Sequence, residues 1–277
     1  MKYERALIAV AIVVFILVLS YAVTLGAMGS TLPPRDLRLL AKLYLWLAIN
    51  PWTRNLTVMS PEAVTSIVWD FRGLDTFFET AVLYLAIIGT VAIYRGVYAS
   101  SKSREGPISE DEVGMSPIAK SVTKITLPIV IAVAVAIALH GHLTPGGGFQ
   151  GGSTAAVILL LVLVVFSLQY SIRMGITKGS TLALRSAGLL GIAVTSILVL
   201  ILGLLVGCQS FIFQNQPKAY APVGVPAFLD GMLVSGTLIL FNIFECLAVA
   251  AGLTLTFILV LTHEEEIRSV MKGDRHE

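Results

Sequence analysis

The chain has 277 residues, of which 56% are hydrophobic and only 13% charged, where a soluble domain carries roughly 25% charged residues. So little charge, with a mean hydropathy of +0.86, makes lipid the expected solvent, and a formal net charge of +2 argues against a nucleic-acid partner. The two cysteines, Cys208 and Cys246, match no ligand or redox spacing and read as buried thiols.

A membrane-spanning helix needs about 20 mostly apolar residues. The first such run, Ala6–Met28, follows Lys2 and Arg5 in the manner of a secretory leader. It is longer than the roughly 7 to 15 apolar residues of a leader, so a retained helix is expected. Next comes "RDLRLLAKLYLWLAINPW", basic and apolar by turns and closed by Trp46 and Trp52. It suits a helix lying in the interface, or equally one packed on a partner. The second span is Thr76–Tyr94, followed by the polar stretch "SSKSREGPISEDEVGMSP", a natural linker. Four further spans follow: Thr123–Leu139 with Pro128 in its first half, Ser153–Ile172, Leu182–Val206 and Gly236–Leu261. The outer stretch from Gly207 to Gly231 holds Pro217, Pro222 and Pro226 and should be extended. The tail "HEEEIRSVMKGDRHE" is a solvated charge run.

Lipid leaves helices as the plausible form, because runs such as "AAVILLLVLVVF" lack the alternation of barrel strands. The expected fold is all-α and polytopic, with about six transmembrane helices. With the N-terminus inside, the inside segments carry Lys2, Arg5, Arg95, Lys102, Arg104, Lys120, Lys124, Arg173, Lys178, Arg185, Arg268, Lys272 and Arg275. The outside segments carry Arg35, Arg38, Lys42, Arg54, Arg72 and Lys218. That asymmetry places both termini in the cytoplasm. No internal repeat points to an inverted-repeat transporter.

The densest chemistry lies in "HGHLTPGGGFQGG", residues 140–152. A phosphate cradle fails, because no Gly-Lys-Ser/Thr follows the glycines. A metal site is short of ligands, since His140 and His142 have no Cys, Asp or Glu beside them. A break that packs helices together survives. Pro145 ends a helix, Gly146 and Gly147 permit positive φ, and Gly148, Gly151 and Gly152 permit close approach, Gly148 and Gly152 at the small-xxx-small spacing. The two imidazoles could also pass protons near neutral pH.

Intramembrane carboxylates are the other candidates. Glu245, in "LFNIFECLAVAAGL", has only apolar neighbours and Asn242. A charge at such depth costs on the order of 2.5 to 3.5 kcal/mol, so Glu245 should face a protein interior or a wet cavity. It is either a cation or proton relay or a satisfied interhelical hydrogen bond. Glu79 lies just inside the second span, preceded by Asp70, Arg72 and Asp75 at its mouth. Its alternatives are ion passage and an interfacial pair with Arg72.

The stretch "MSPIAKSVTKITLPIVIAVAVAIALHGHLTPGGGFQGG" resembles the B-type, MnhB-like component of the Mrp-type multisubunit sodium/proton antiporters, and the match runs to about Leu261. In that family an Asp stands where this chain has Asn242, and no acid stands at 245. "VTSIVWDFRGLDTFFETAVLYLAIIG" is similar to the C-terminal end of the large A-type component of the same antiporters, whose acid, here Glu79, is implicated in ion passage. An A-type tail joined to a B-type component resembles the arrangement in archaeal membrane-bound hydrogenase and sulfane sulfur reductase complexes.

The implied organisation is a first helix and basic loop over 1–59, an A-like segment over 60–100, a linker over 101–116, a B-like domain over 117–262 and a tail over 263–277. The implied function is that of a multi-pass cell-membrane subunit of an Mrp-like antiporter module, with Na+ and H+ as transported ions. No cofactor or catalytic centre is expected in this chain. Its partners would be other antiporter subunits, a hydrogenase-like or disulfide-reductase-like redox arm, and the bilayer. The alternatives are a non-conducting scaffold in the same arm and a subunit of a standalone antiporter.

Overall fold

The computed structural model describes residues 2–25, 37–53, 55–93 and 114–271, without the side chains of 2–9, 169 and 262–271. The expected linker 101–116 lies outside the described residues up to 113, as do Arg35, Arg54, Arg95, Lys102, Arg104 and the tail beyond 271. The chain forms two compact units, Met1–Leu43 and Tyr44–Glu277.

The first unit contains helix α1, Lys2–Thr24. Its described side chains from Val10 onward are mostly apolar and largely exposed, as a lipid-facing helix requires. Helix α2, Leu39–Ala48, is shorter than the basic-aromatic stretch that foretold it. It exposes Leu39, Leu40, Leu43, Leu45 and Trp46, and Trp52 just beyond is almost fully exposed.

The second unit holds five helices long and apolar enough to cross a membrane. A short helix α3, Ala63–Ser66, and a π-turn, Ile67–Phe71, lead into α4, Gly73–Ile93. Helix α5 is Pro117–Leu139, six residues earlier than hydropathy alone placed it. The polar start is set by capping: Ser116 accepts from the Ala119 amide and Pro117 occupies the first turn. Helix α6, Gly148–Phe166, starts five residues early for a different reason, given below. It stops at Ser167, held at φ 107°, so the expected single span through Ile172 is two helices, α6 and a short α7, Leu168–Arg173. Helix α8, Lys178–Val206, opens on a Thr177–Ser180 capping box and ends at Gly207 in the left-handed region. The outer stretch is irregular, as its prolines required. It ends in a hairpin of β1, Phe228–Leu229, and β2, Met232–Leu233. Helix α9, Leu238–Met271, continues helically into the first part of the expected tail.

Helix α9 is the axis of this unit, packed on α8, α6, α4 and α5. One core lies at its beginning, where Trp69 stacks on Phe241 with ring centroids 4.5 Å apart, alongside Val58, Ile192 and Leu238. A second lies further along, where Ile87 of α4 meets Leu255 and Leu259. Helices α4 and α9 therefore run parallel. Cys208 and Cys246 are half-buried, not the fully buried thiols expected.

A polar belt ties the loops together beyond the ends of the helices. Asn215 Nδ2 donates to the Val58 carbonyl (2.8 Å) and Gln216 Nε2 to the Thr57 carbonyl (2.7 Å). Ser60 Oγ donates to the His142 carbonyl (2.5 Å), Thr65 Oγ1 to the Gly141 carbonyl (2.6 Å) and Ser235 Oγ to the Met59 carbonyl (2.7 Å). Segment 57–65 thus joins the glycine-rich loop to the outer stretch, satisfying backbone groups that no helix serves.

Candidate functional site

The glycine-rich stretch is not simply a break. Only residues 140–147 are non-helical, and Gly146 and Gly147 take φ of 158° and 143°. The chain leaves α5 at Leu139, six residues ahead of Pro145. Gly148, Gly151 and Gly152 lie inside α6 and are buried. A Cβ on Gly152 would lie 2.7 Å from the Cys246 carbonyl oxygen of α9, and one on Gly151 would lie 2.8 Å from Ala138 Cβ of α5. The small-xxx-small pattern therefore seats α6 between its neighbours.

The beginning of α6 is where chemistry gathers. Its first amides have no partner within the helix, and Gly147, as N-cap, has no side chain to offer. Glu245 of α9 supplies one instead. Its carboxylate lies against the start of α6, beside the Phe149 amide and the Trp69 indole. The indole nitrogen itself lies outside hydrogen-bonding geometry and is unpaired. A helix N-terminus favours a negative group, so this carboxylate completes α6 from another element. Gly148 makes the approach possible, because a Cβ there would lie 2.6 Å from Glu245 Oε2. Glu245 is only 8% exposed.

Asn242, one turn earlier on α9, is 1% exposed. Neither Oδ1 nor Nδ2 has a hydrogen-bond partner. It is pressed against the glycine loop: a Cβ on Gly141 would lie 2.9 Å from Nδ2, and one on Gly147 would lie 3.8 Å from Oδ1. Buried polar atoms are paired in the great majority of cases. An amide orphaned at both ends beside a buried carboxylate marks a place for water or an ion.

Glu79 is close enough to Glu245 to act on it electrostatically, yet its side chain is exposed on the outward face of α4. The alternative in which it pairs with Arg72 is overturned. Arg72 pairs with Asp75 instead, at 2.7 Å, with both side chains exposed.

The two histidines part company. His140 is exposed and donates from Nδ1 to the Ala136 carbonyl (3.0 Å), capping α5. His142 is buried and donates from Nε2 to the Leu233 carbonyl (2.9 Å), leaving Nδ1 unpaired. Burial holds its pKa below the ordinary histidine value; the Leu233 hydrogen bond opposes that shift and His140 adds to it. Among the described residues no three His, Cys, Asp or Glu side chains gather as metal ligands.

Arg185 is a correction to the charge count. Assigned to an inside segment, it lies within α8 and is 1% exposed. Its Nη1 donates to the Ala248 carbonyl (3.2 Å), its guanidinium lies 5.2 Å from the Tyr84 ring centre, and its Nε is unpaired. At the mouth of α4, burial raises the Asp70 carboxyl to about 6, against the pull of Lys218. Burial likewise lowers the Lys218 ammonium, with Asp70 opposing. Lys218 Nζ donates to the Thr57 carbonyl (2.7 Å).

A bundle of apolar helices long enough to span a bilayer, packed around buried ionisable groups, defines a multi-pass membrane protein. Residues 118–255 match the family model for a domain related to the MnhB subunit of Na+/H+ antiporter. A chain of the membrane-bound sulfane sulfur reductase, an archaeal respiratory membrane complex, is similar at 24% identity and a TM-score of 0.58, over 93% of this chain and 98% of that one. A chain of the Mrp complex from Dietzia sp. DQ12-45-1b is similar at 17% identity and a TM-score of 0.57, over 93% of this chain and 26% of that one. Both are likenesses of fold. An uncharacterized protein of Methanocaldococcus jannaschii is 29% identical over 116 residues. That match takes in 38% of this chain, and the chain spans less than half, 44%, of that relative's length.

Proposed function

We propose that this chain serves as a membrane subunit of an Mrp-like sodium/proton antiporter module, within an energy-converting respiratory complex and with both termini in the cytoplasm. Its partners in that reading are other antiporter subunits and a redox arm of the hydrogenase or sulfane sulfur reductase type. Glu245 is the station at which a cation or proton is held, and Glu79 is its neighbour on the surface that other subunits would cover. One observation carries this reading: a buried intramembrane carboxylate beside an Asn242 amide that no protein group satisfies.

The chemistry is exchange at one acid. A carboxylate at membrane depth costs several kcal/mol as a bare anion, so it holds either a proton or a metal cation, and release of one favours capture of the other. The amide of Phe149 orients the carboxylate, and Asn242 offers an oxygen to a partly dehydrated cation. Glu79 couples to the station through its charge. The test is sodium-dependent proton movement in vesicles carrying the assembled complex with Glu245→Gln or Glu79→Gln. Loss of exchange with normal assembly is expected.

A second reading has its own observation in favour, namely the place of the Glu245 carboxylate against the first turn of α6, beside the Phe149 amide. There the acid is a cap for α6 and the chain a scaffold. It is distinguished by a Glu245→Gln complex that melts earlier but exchanges ions at the normal rate.

A further inference from the structure

We propose that Arg185 closes the seam between α4 and α9, making it a half-channel. Cations reach Glu245 from the end where both helices begin and do not pass on through this chain. The inference rests on the reading of Glu245 as a cation station.

The seam can be followed residue by residue because α4 and α9 run parallel. At its first level Glu79 lies in electrostatic reach of Glu245. Five residues on along α4, Tyr84 lies under the Arg185 guanidinium. Along α9, the same guanidinium donates to Ala248 and abuts the Gly252 backbone, where a Cβ would collide with Nη1. Glu245, Ala248 and Gly252 are spaced i, i+3 and i+7, so they form one stripe facing the seam. At 1.5 Å per residue the positive charge sits about 5 to 10 Å beyond the Glu245 backbone. The Glu245 side chain leans the other way, toward the start of its helix. Acid and base are therefore two successive levels and not a pair.

Beyond Arg185 the seam becomes dry. Ile87, Leu255 and Leu259 are buried there, with Leu83, Val91 and Leu182 packed on them. No charged residue follows Tyr84 in α4 up to Ile93, or Glu245 in α9 up to Leu261. The hydroxyls of Thr254 and Thr256 are turned back onto their own helix.

The cost of Arg185 is what asks for a function. A guanidinium has five donors and no acceptor, and an ionisable group in a spanning helix is expensive and usually paired. Among the described residues no carboxylate is paired with it, and its electrostatic partner is the Tyr84 ring. A clamp between α4 and α9 could be made by an apolar side chain at lower cost. A fixed positive charge in a narrow, low-dielectric seam does what an apolar side chain cannot, which is to repel a cation that has reached the preceding level. An exposed Glu79 at the station's own level then leaves a sideways exit toward a neighbouring subunit.

The test uses the assembled complex in sealed vesicles, with passive sodium leak measured in the absence of any driving reaction. Arg185→Gln is expected to raise that leak about tenfold, the effect of removing a barrier worth one decade. Arg185→Lys keeps the charge but loses the planar fork and stacking, and should leak within about twofold of the unaltered complex. A tight Arg185→Gln complex would overturn the proposal. So would an Arg185→Lys complex as leaky as Arg185→Gln, since stacking and not charge would then be the seal.

Adding Glu245→Gln to Arg185→Gln separates this proposal from the one beneath it. Abolition of the leak supports both. Persistence of the leak keeps the barrier and removes Glu245 as the station. A tight Arg185→Gln complex, in a system where Glu245→Gln abolishes exchange, keeps the station and removes the barrier. Should Arg185→Gln fail to assemble, Thr80→Cys and Ile87→Cys, each in a Cys208→Ala, Cys246→Ala chain, give the answer. A water-soluble thiol reagent should label position 80 and spare 87. Equal labelling at both from that side would overturn the half-channel.

Discussion

Two buried amides, Gln214 in the outer belt and Asn242 in the seam, meet opposite fates. The Gln214 Nε2 group donates to the carbonyls of Gln216, Ala221 and Val223, and its Oε1 accepts the Phe211 amide. The Asn242 amide has no partner at either atom. The belt uses its polarity to hold loops in place, with segment 57–65 as the tie between the glycine loop and the outer stretch. The seam leaves polar atoms open beside Glu245 and keeps a lone guanidinium one level beyond. Satisfied polar groups build a fold, and open ones at membrane depth need a reason to be there.

The largest effect should come from the seam. Glu245→Gln keeps the shape of the side chain and removes its charge; sodium-dependent proton exchange is expected to fall at least about tenfold, measured on vesicles with assembly checked by gel filtration. Normal exchange would erase the difference between the two regions. Next comes Gly148→Ala, whose Cβ would press on Glu245 Oε2 and the Asn242 carbonyl oxygen. Neither helix backbone can yield freely, so a stability loss of about 1 to 3 kcal/mol should show in denaturant titration. Gln214→Ala sharpens the contrast from the other side. It should cost about 1 to 3 kcal/mol through the carbonyls it leaves unpaired, with exchange unchanged in complexes that assemble.

The smallest effect concerns pH. Burial raises Asp70 from 3.8 to about 6, so the folded chain keeps a proton over an interval where the unfolded chain has lost it. That stabilising contribution is full below about pH 4 and is lost as pH rises through about 6. Asp70→Asn removes the dependence. Its Tm should exceed that of the unaltered chain by about 2 to 4 °C above pH 7 and converge with it near pH 4. A constant difference across that range would assign Asp70 another role.

Much of the fold could be read from the sequence, because lipid imposes one simple requirement. The five spans of the larger unit fall where runs of apolar residues placed them, and the errors have local causes. Hydropathy does not see that Ser116 and Pro117 start α5 or that Glu245, far away in sequence, completes the start of α6. Nothing in Ser167 announces a positive φ, so the end of α6 was invisible. The site was half legible. Glu245 and Asn242 stood out as polar residues in an apolar run, and the glycines as points of close approach. The Trp69 indole and the Phe149 amide could not be foreseen, since tertiary packing around α9 brings them there. Counting charges near helix ends treats each as a loop residue, which is why Arg185 counts there as an inside charge. Its place eight residues into a capped helix, after Thr177 and Ser180, was the signal that could have corrected it.

The most direct measurement is a sodium-induced infrared difference spectrum of the purified complex, recorded in the carboxyl region with and without Glu245→Gln. Sodium should remove a protonated-carboxyl band from the unaltered complex and leave the Glu245→Gln complex unchanged. The same band change in both, or none in either, would mean that Glu245 exchanges no proton for sodium.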